Sequence, residues 1–125
     1  MGIQESGENY LETILILQKR IGQVRSIDIV NETGLSKPSV SSAMKKLRER
    51  GYIKMDRKGL ITFTDKGKKT AEEIYEKHKL LTKYLKALGV SEDVAREDAC
   101  KIEHYISDES FDRIREDYKR IEKTQ

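Results

Sequence analysis

Apolar residues three and four apart set the first pattern along the chain. Tyr10, Ile14, Leu17 and Ile21, with Leu11 and Leu15 beside them, predict a helix over about residues 7–21 that stops at Gly22. Ser26 is placed to cap a short second helix to Thr33, with Ile27, Ile29 and Val30 apolar and Gly34 as its stop. Ser36 caps a third helix with Pro38 in its first turn. That helix runs to about Arg50, with Val40, Met44 and Leu47 inward. At Tyr52 the period changes. Tyr52, Ile53 and Met55, then Leu60 to Thr64, flank Asp56-Arg57-Lys58-Gly59 and predict a hairpin.

Helical spacing returns after Thr64. A long helix over about 65–88 carries Ala71, Ile74, His78, Leu81, Leu85 and Leu88 on one stripe, and Gly89 closes it. Ser91 opens the next, with Ala95, Ala99, Ile102 and Ile106 inward. Ser107 opens the last, with Phe111, Ile114, Tyr118 and Ile121 on one side. The expected fold is mainly α: a winged helix-turn-helix domain over 1–64 and a helical dimerisation domain over 65–125. The apolar face of the last helix is too large to stay exposed, so a two-fold homodimer is expected.

Composition narrows the function class. The 125 residues hold 38% charged side chains and one cysteine, Cys100, which fits a reducing compartment and a cytoplasmic protein. No apolar run reaches the roughly 20 residues of a membrane span, and no secretory leader opens the chain. Phosphate-loop, dinucleotide and nucleophile-elbow motifs are missing, so no enzyme and no small organic substrate is expected.

Charge divides the chain. Residues 33–70 carry eleven Lys/Arg against three acids, a net +8, and residues 71–125 carry eleven against fourteen, a net −3. The basic part coincides with the expected turn, basic helix and wing, which points to double-stranded DNA as partner. The candidate contacts are Arg25, Ser36, Lys37, Pro38, Ser39, Ser41, Ser42, Lys45, Lys46, Arg57 and Lys58. Small hydroxyls at the start of the third helix suit base edges and phosphate oxygens, and Arg57 and Lys58 sit at the wing tip.

A second chemistry is written in the acidic half. Cys100, Glu103 and His104 fall at i, i+3 and i+4, one face of a helix, where thiolate, carboxylate and imidazole would form a transition-metal half-site. Asn9 and Glu12 share a face of the first helix, and His78 interrupts an apolar stripe. The alternative is a winged-helix regulator that does not use metal, in which Cys100 and both histidines are packed side chains.

Four stretches decide how these features are read together: Glu8 to Ile14, Thr64-Asp65-Lys66-Gly67, Lys77 to Leu81, and Asp98 to Glu109. In them the chain resembles the diphtheria-toxin-repressor family of metal-dependent transcriptional repressors, including its manganese branch. The resemblance covers nearly the whole chain. It implies a short form that ends before the SH3-like domain of longer members. By resemblance Glu12, His78, Glu103 and His104 match ligand positions, and Cys100 matches the iron branch. Asn9 stands where one branch has Asp and the other Met. Thr82 and Arg96 stand at two positions of the iron branch's ancillary site, which is degraded here. The implied function is repression of metal-uptake genes from a palindromic operator, with the metal as corepressor fixing the dimer geometry. The hybrid ligand set expects Fe(II) or Mn(II), leaning to Fe(II), with Zn(II) or Co(II) possible in vitro.

Overall fold

The computed structural model describes residues 5–124. In chain order the elements are α1 (Glu5–Ile21), α2 (Ser26–Thr33), α3 (Lys37–Glu49), β1 (Ile53–Met55), β2 (Ile61–Phe63), α4 (Asp65–Ala87), α5 (Glu92–Ile102) and α6 (Asp108–Thr124). They form two compact units that divide between Glu73 and Ile74, inside α4.

In the first unit, α1 buries Leu11, Ile14, Leu15 and Leu17. Ile21, expected inward, is half exposed in the last turn, where the chain leaves on Gly22. The start of α2 differs from expectation. Ser26 is already helical, and Arg25 is the extended N-cap residue, its N–H donating to Asp28 Oδ2 at 2.8 Å. The reach back from the third helical position satisfies a donor that the helix itself leaves open. Ile29 is buried, whereas Ile27 turns outward. Gly34 ends α2 at φ +72, a left-handed conformation that other residues adopt at a cost.

Ser36 caps α3 as expected: it is extended, and its Oγ accepts from the Ser39 N–H at 3.2 Å. Val40, Met44 and Leu47 are buried. Side chains of this size each contribute about 1.5–3 kcal/mol on full burial. The hairpin is antiparallel, pairing Ile53 with Phe63, Lys54 with Thr62 and Met55 with Ile61. Val24 adds a further rung, accepting the Ile61 N–H at 2.8 Å.

The second unit comprises α4 from Ile74 onward, α5 and α6. Its core is Leu81, Ala99 and Phe111, with Leu80, Ile102, Ile106 and Ile114 packed against it. Tyr84 ties α4 to α6 by donating to Asp117 Oδ2 at 2.8 Å. Ser107 caps α6 through the Ser110 N–H, at 3.1 Å. Leu88, expected on the buried stripe, lies just past the end of α4 and is 60% exposed. Helix α5 stops at Ile102, four residues before the expected Ile106; residues 103–105 form a turn.

Candidate metal centre and nucleic-acid interface

The early end of α5 leaves its spacing intact. Glu103 keeps right-handed helical angles, φ −59 and ψ −25, and its N–H still donates to Ala99 O at 2.9 Å. Cys100 and Glu103 therefore share a face, and His104 follows in the turn. Their donor atoms all lie within 4.8 Å of one another. From α4, His78 reaches the same carboxylate, with Nδ1 3.0 Å from Glu103 Oε2.

Burial makes this cluster chemically specific. The Glu103 side chain is fully buried, and that of His104 is 1% exposed. Glu103 Oε1 accepts no hydrogen bond, although His104 Nε2 stands 3.5 Å away. A buried carboxylate oxygen without a donor costs free energy on the order of 1–3 kcal/mol or more. A cation at that oxygen removes the penalty. Thiolate, carboxylate and imidazole converging there fit a divalent first-row transition metal.

Glu12 is a buried acid on α1 of the first unit. Asn9, one turn earlier, is half-buried, and its carbonyl accepts from Thr13 Oγ1 at 2.8 Å. Thr82 donates its hydroxyl to His78 O at 2.8 Å, and Arg96 pairs with Glu92 at 3.4 Å.

Ten of the eleven candidate DNA contacts are exposed: Ser36, Lys37, Pro38, Ser39, Ser41, Ser42, Lys45 and Lys46 on or before α3, and Arg57 and Lys58 at the wing tip. Ser36 and Ser39 share a hydroxyl hydrogen bond of 2.9 Å. Arg25 differs: it is half-buried, and its Nε donates to Lys58 O at 3.2 Å. Sequence reasoning missed Asp56, which shapes the tip by accepting from the Lys58 and Leu60 N–H groups, both at 2.9 Å. An Asp three residues before a turn glycine was the available signal.

Two family models cover the chain between them. The iron dependent repressor N-terminal DNA-binding domain matches residues 3–61, and the iron dependent repressor metal-binding and dimerisation domain matches residues 64–124. The transcriptional regulator MntR of Escherichia coli O6:H1 is 35% identical over 108 residues, 86% of this chain and 70% of that protein. The HTH-type transcriptional regulator MntR of Geobacillus thermodenitrificans is 33% identical over 124 residues, 94% of this chain and 88% of that one. Among solved structures, the manganese regulator SloR matches with a TM-score of 0.80 and 28% identity, over 95% of this chain. The chain spans about half the length of that structure, 55% of it.

Proposed function

The chain belongs to the iron-dependent repressor family, and on that premise we propose that it represses metal-uptake genes, binding a palindromic operator as a homodimer when loaded with Fe(II) or Mn(II). The observation that carries the metal half is Glu103, a fully buried carboxylate with one oxygen lacking a donor, flanked by Cys100 and His104. Supporting the DNA half is the exposed basic and hydroxyl-rich start of α3, followed by a basic wing tip.

In this reading Cys100, Glu103, His104 and His78 hold the ion, together with Glu12 and, through a weaker amide oxygen, Asn9. The bound ion supplies directed coordinate bonds that hold its ligands in one arrangement. Glu12 rides on α1, so engaging it ties the DNA-reading unit to the dimer-forming helices. Two α3 helices of a dimer must meet major grooves about 34–36 Å apart, or a multiple of that. If only a fraction of molecules holds the right spacing, affinity falls by that fraction. Metal and DNA then strengthen each other's binding equally. The Cys100 thiolate tilts the preference toward Fe(II), since Mn(II) favours oxygen donors.

The test begins with a duplex selected from random DNA in the presence of Mn(II). Its affinity is then measured with Mn(II), anaerobic Fe(II), Co(II), Zn(II) and chelator. Chelation should weaken binding by about 5–150-fold. Equal binding with and without metal would leave a winged-helix regulator that does not use it.

A further inference from the structure

The wing is too small to hold its own position. Its strands have three residues each, and an isolated two-stranded hairpin is marginal in water. The tip closes on itself through Asp56: its Oδ1 takes the Lys58 and Leu60 N–H groups, its carbonyl takes the Gly59 N–H at 3.1 Å, and Gly59 supplies φ +81. Those bonds give the tip a shape and leave its direction open.

Ile53 and Ile61 are buried and anchor the strands, and the tip is aimed by the segment before α2. Val24 pairs with Ile61 at the start of β2, next to the tip, and Arg25 Nε donates to Lys58 O at the tip, 33 residues away in sequence. Arg25 is itself fixed, because its own N–H is bound by Asp28 at the start of α2. Its guanidinium thus sits beside the segment that carries Arg57 and Lys58, and the Lys58 carbonyl gives this third cation an acceptor there.

We propose that Arg25 is a positioning residue for the wing: it holds the tip against the start of α2, so that Arg57 and Lys58 stand where the DNA backbone passes. Arg25 acts on DNA through those two residues and not through a phosphate of its own. This rests on the winged-helix DNA-binding reading. Lysine is a poor replacement, because its ammonium on a flexible stem lacks the fixed planar geometry that aims the Nε–H.

The experiment is a mutant cycle on metal-loaded protein with Mn(II) and the selected duplex. Arg25→Ala and Arg25→Lys are each made in the natural wing and in an Arg57→Ala/Lys58→Ala wing. In the natural wing both changes should weaken binding about five- to tenfold. In the neutral wing each should change affinity by less than about twofold, because residues acting as one unit are not additive. In DNA-free protein, amide exchange at Lys58, Gly59 and Leu60 should accelerate in both variants. The proposal is overturned if Arg25→Lys binds like the natural protein. It is equally overturned if Arg25→Ala has the same effect in both wings, or none, or if the tip amides keep their exchange rates. A direct phosphate contact would show as additivity and a salt slope smaller by about one charge. If the natural protein shows no salt-dependent DNA binding while the exchange rates still rise, the DNA reading fails and the brace stands.

Discussion

Gly67 is the position where a single methyl group tests the first unit most severely. It is the third residue of α4, and its N–H donates to Thr64 Oγ1 at 3.0 Å. A Cβ there would stand 1.7 Å from Tyr52 O and 2.7 Å from the same residue's carbonyl carbon. Both are backbone atoms, so no rotamer change relieves the clash. Reaching an ordinary 3.4 Å contact requires α4 and the start of the wing to part by about 1.7 Å. Three bonds cross that seam: Thr64 N–H to Tyr52 O at 3.1 Å, and Thr64 Oγ1 to Gly51 O at 2.6 Å and to Tyr52 O at 3.2 Å. Overpacking costs about 1–3 kcal/mol, and each hydrogen bond lost adds about 1. Against this, alanine gains roughly 1 kcal/mol of helix propensity over glycine. With all three bonds lost, Gly67→Ala should therefore cost about 3–5 kcal/mol, read as a lower urea midpoint by circular dichroism. A variant as stable as the natural protein, or more stable, would show that propensity dominates and that the seam does not exist.

Glu103→Gln should abolish the melting shift with Mn(II); a variant that keeps the shift would contradict this. Cys100→Glu should raise the DNA-binding response to Mn(II) relative to Zn(II) and Co(II), as a hard oxygen replaces sulfur; an unchanged ranking in the binding assay would remove Cys100 from the ligand set. Lys37→Glu should stabilise the DNA-free protein by about 0.3–1 kcal/mol yet weaken DNA binding and lower the salt slope by about two charges; a DNA isotherm like the natural one would count against α3. The bond from Tyr84 to Asp117 pushes the phenol above its usual value and, together with Arg120, holds the carboxylate below its own. The raised phenol contributes stability that is lost as pH rises through its folded value, and the depressed carboxylate contributes stability lost as pH falls through its folded value. The stability gap between the natural protein and Tyr84→Phe should thus be flat from about pH 5 to 9 and shrink at both ends; a gap constant from pH 3 to 11 would refute the linkage.

Local signals proved readable where one element settles the matter. The Ser36 cap, the Pro38 first turn and the Val40, Met44, Leu47 face all lie within α3, and each is where its spacing put it. Cys100, Glu103 and His104 were likewise recoverable from a 3.6-residue period, because the turn after Ile102 keeps the phase of α5. What failed depends on partners that sequence does not reveal. Ile27 and Leu88 fit apolar patterns but face outward, one on the open side of α2 and one beyond the last turn of α4. Ser26 looked like a cap until Asp28 reached back to the Arg25 N–H. The pairing of His78 with Glu103 spans 25 residues and the brace from Arg25 to Lys58 spans 33, so neither leaves a periodic trace.

Two departures from best packing carry the functional reading further than any matching element does. The first turns of α2, α4, α5 and α6 all hold acids: Asp28; Asp65; Glu92 and Asp93; Asp108 and Glu109. That placement complements the positive end of each helix dipole. The first turn of α3 holds no acid and begins with Lys37. Selection for folding alone would put a carboxylate there, as it does in those four helices. An uncompensated helix start with a lysine and exposed serines is instead complementary to phosphate. Glu103 follows the same logic with the sign reversed. An apolar residue of similar size would pack in the second unit without a desolvation penalty, yet the chain buries a carboxylate there and leaves one oxygen without a donor. Each site thus sacrifices a little stability in the isolated chain. Each is opposite in charge to the ligand proposed for it, an anion at α3 and a cation at Glu103. On the proposed function, a chain with two such positions gains stability from DNA at one and from metal at the other.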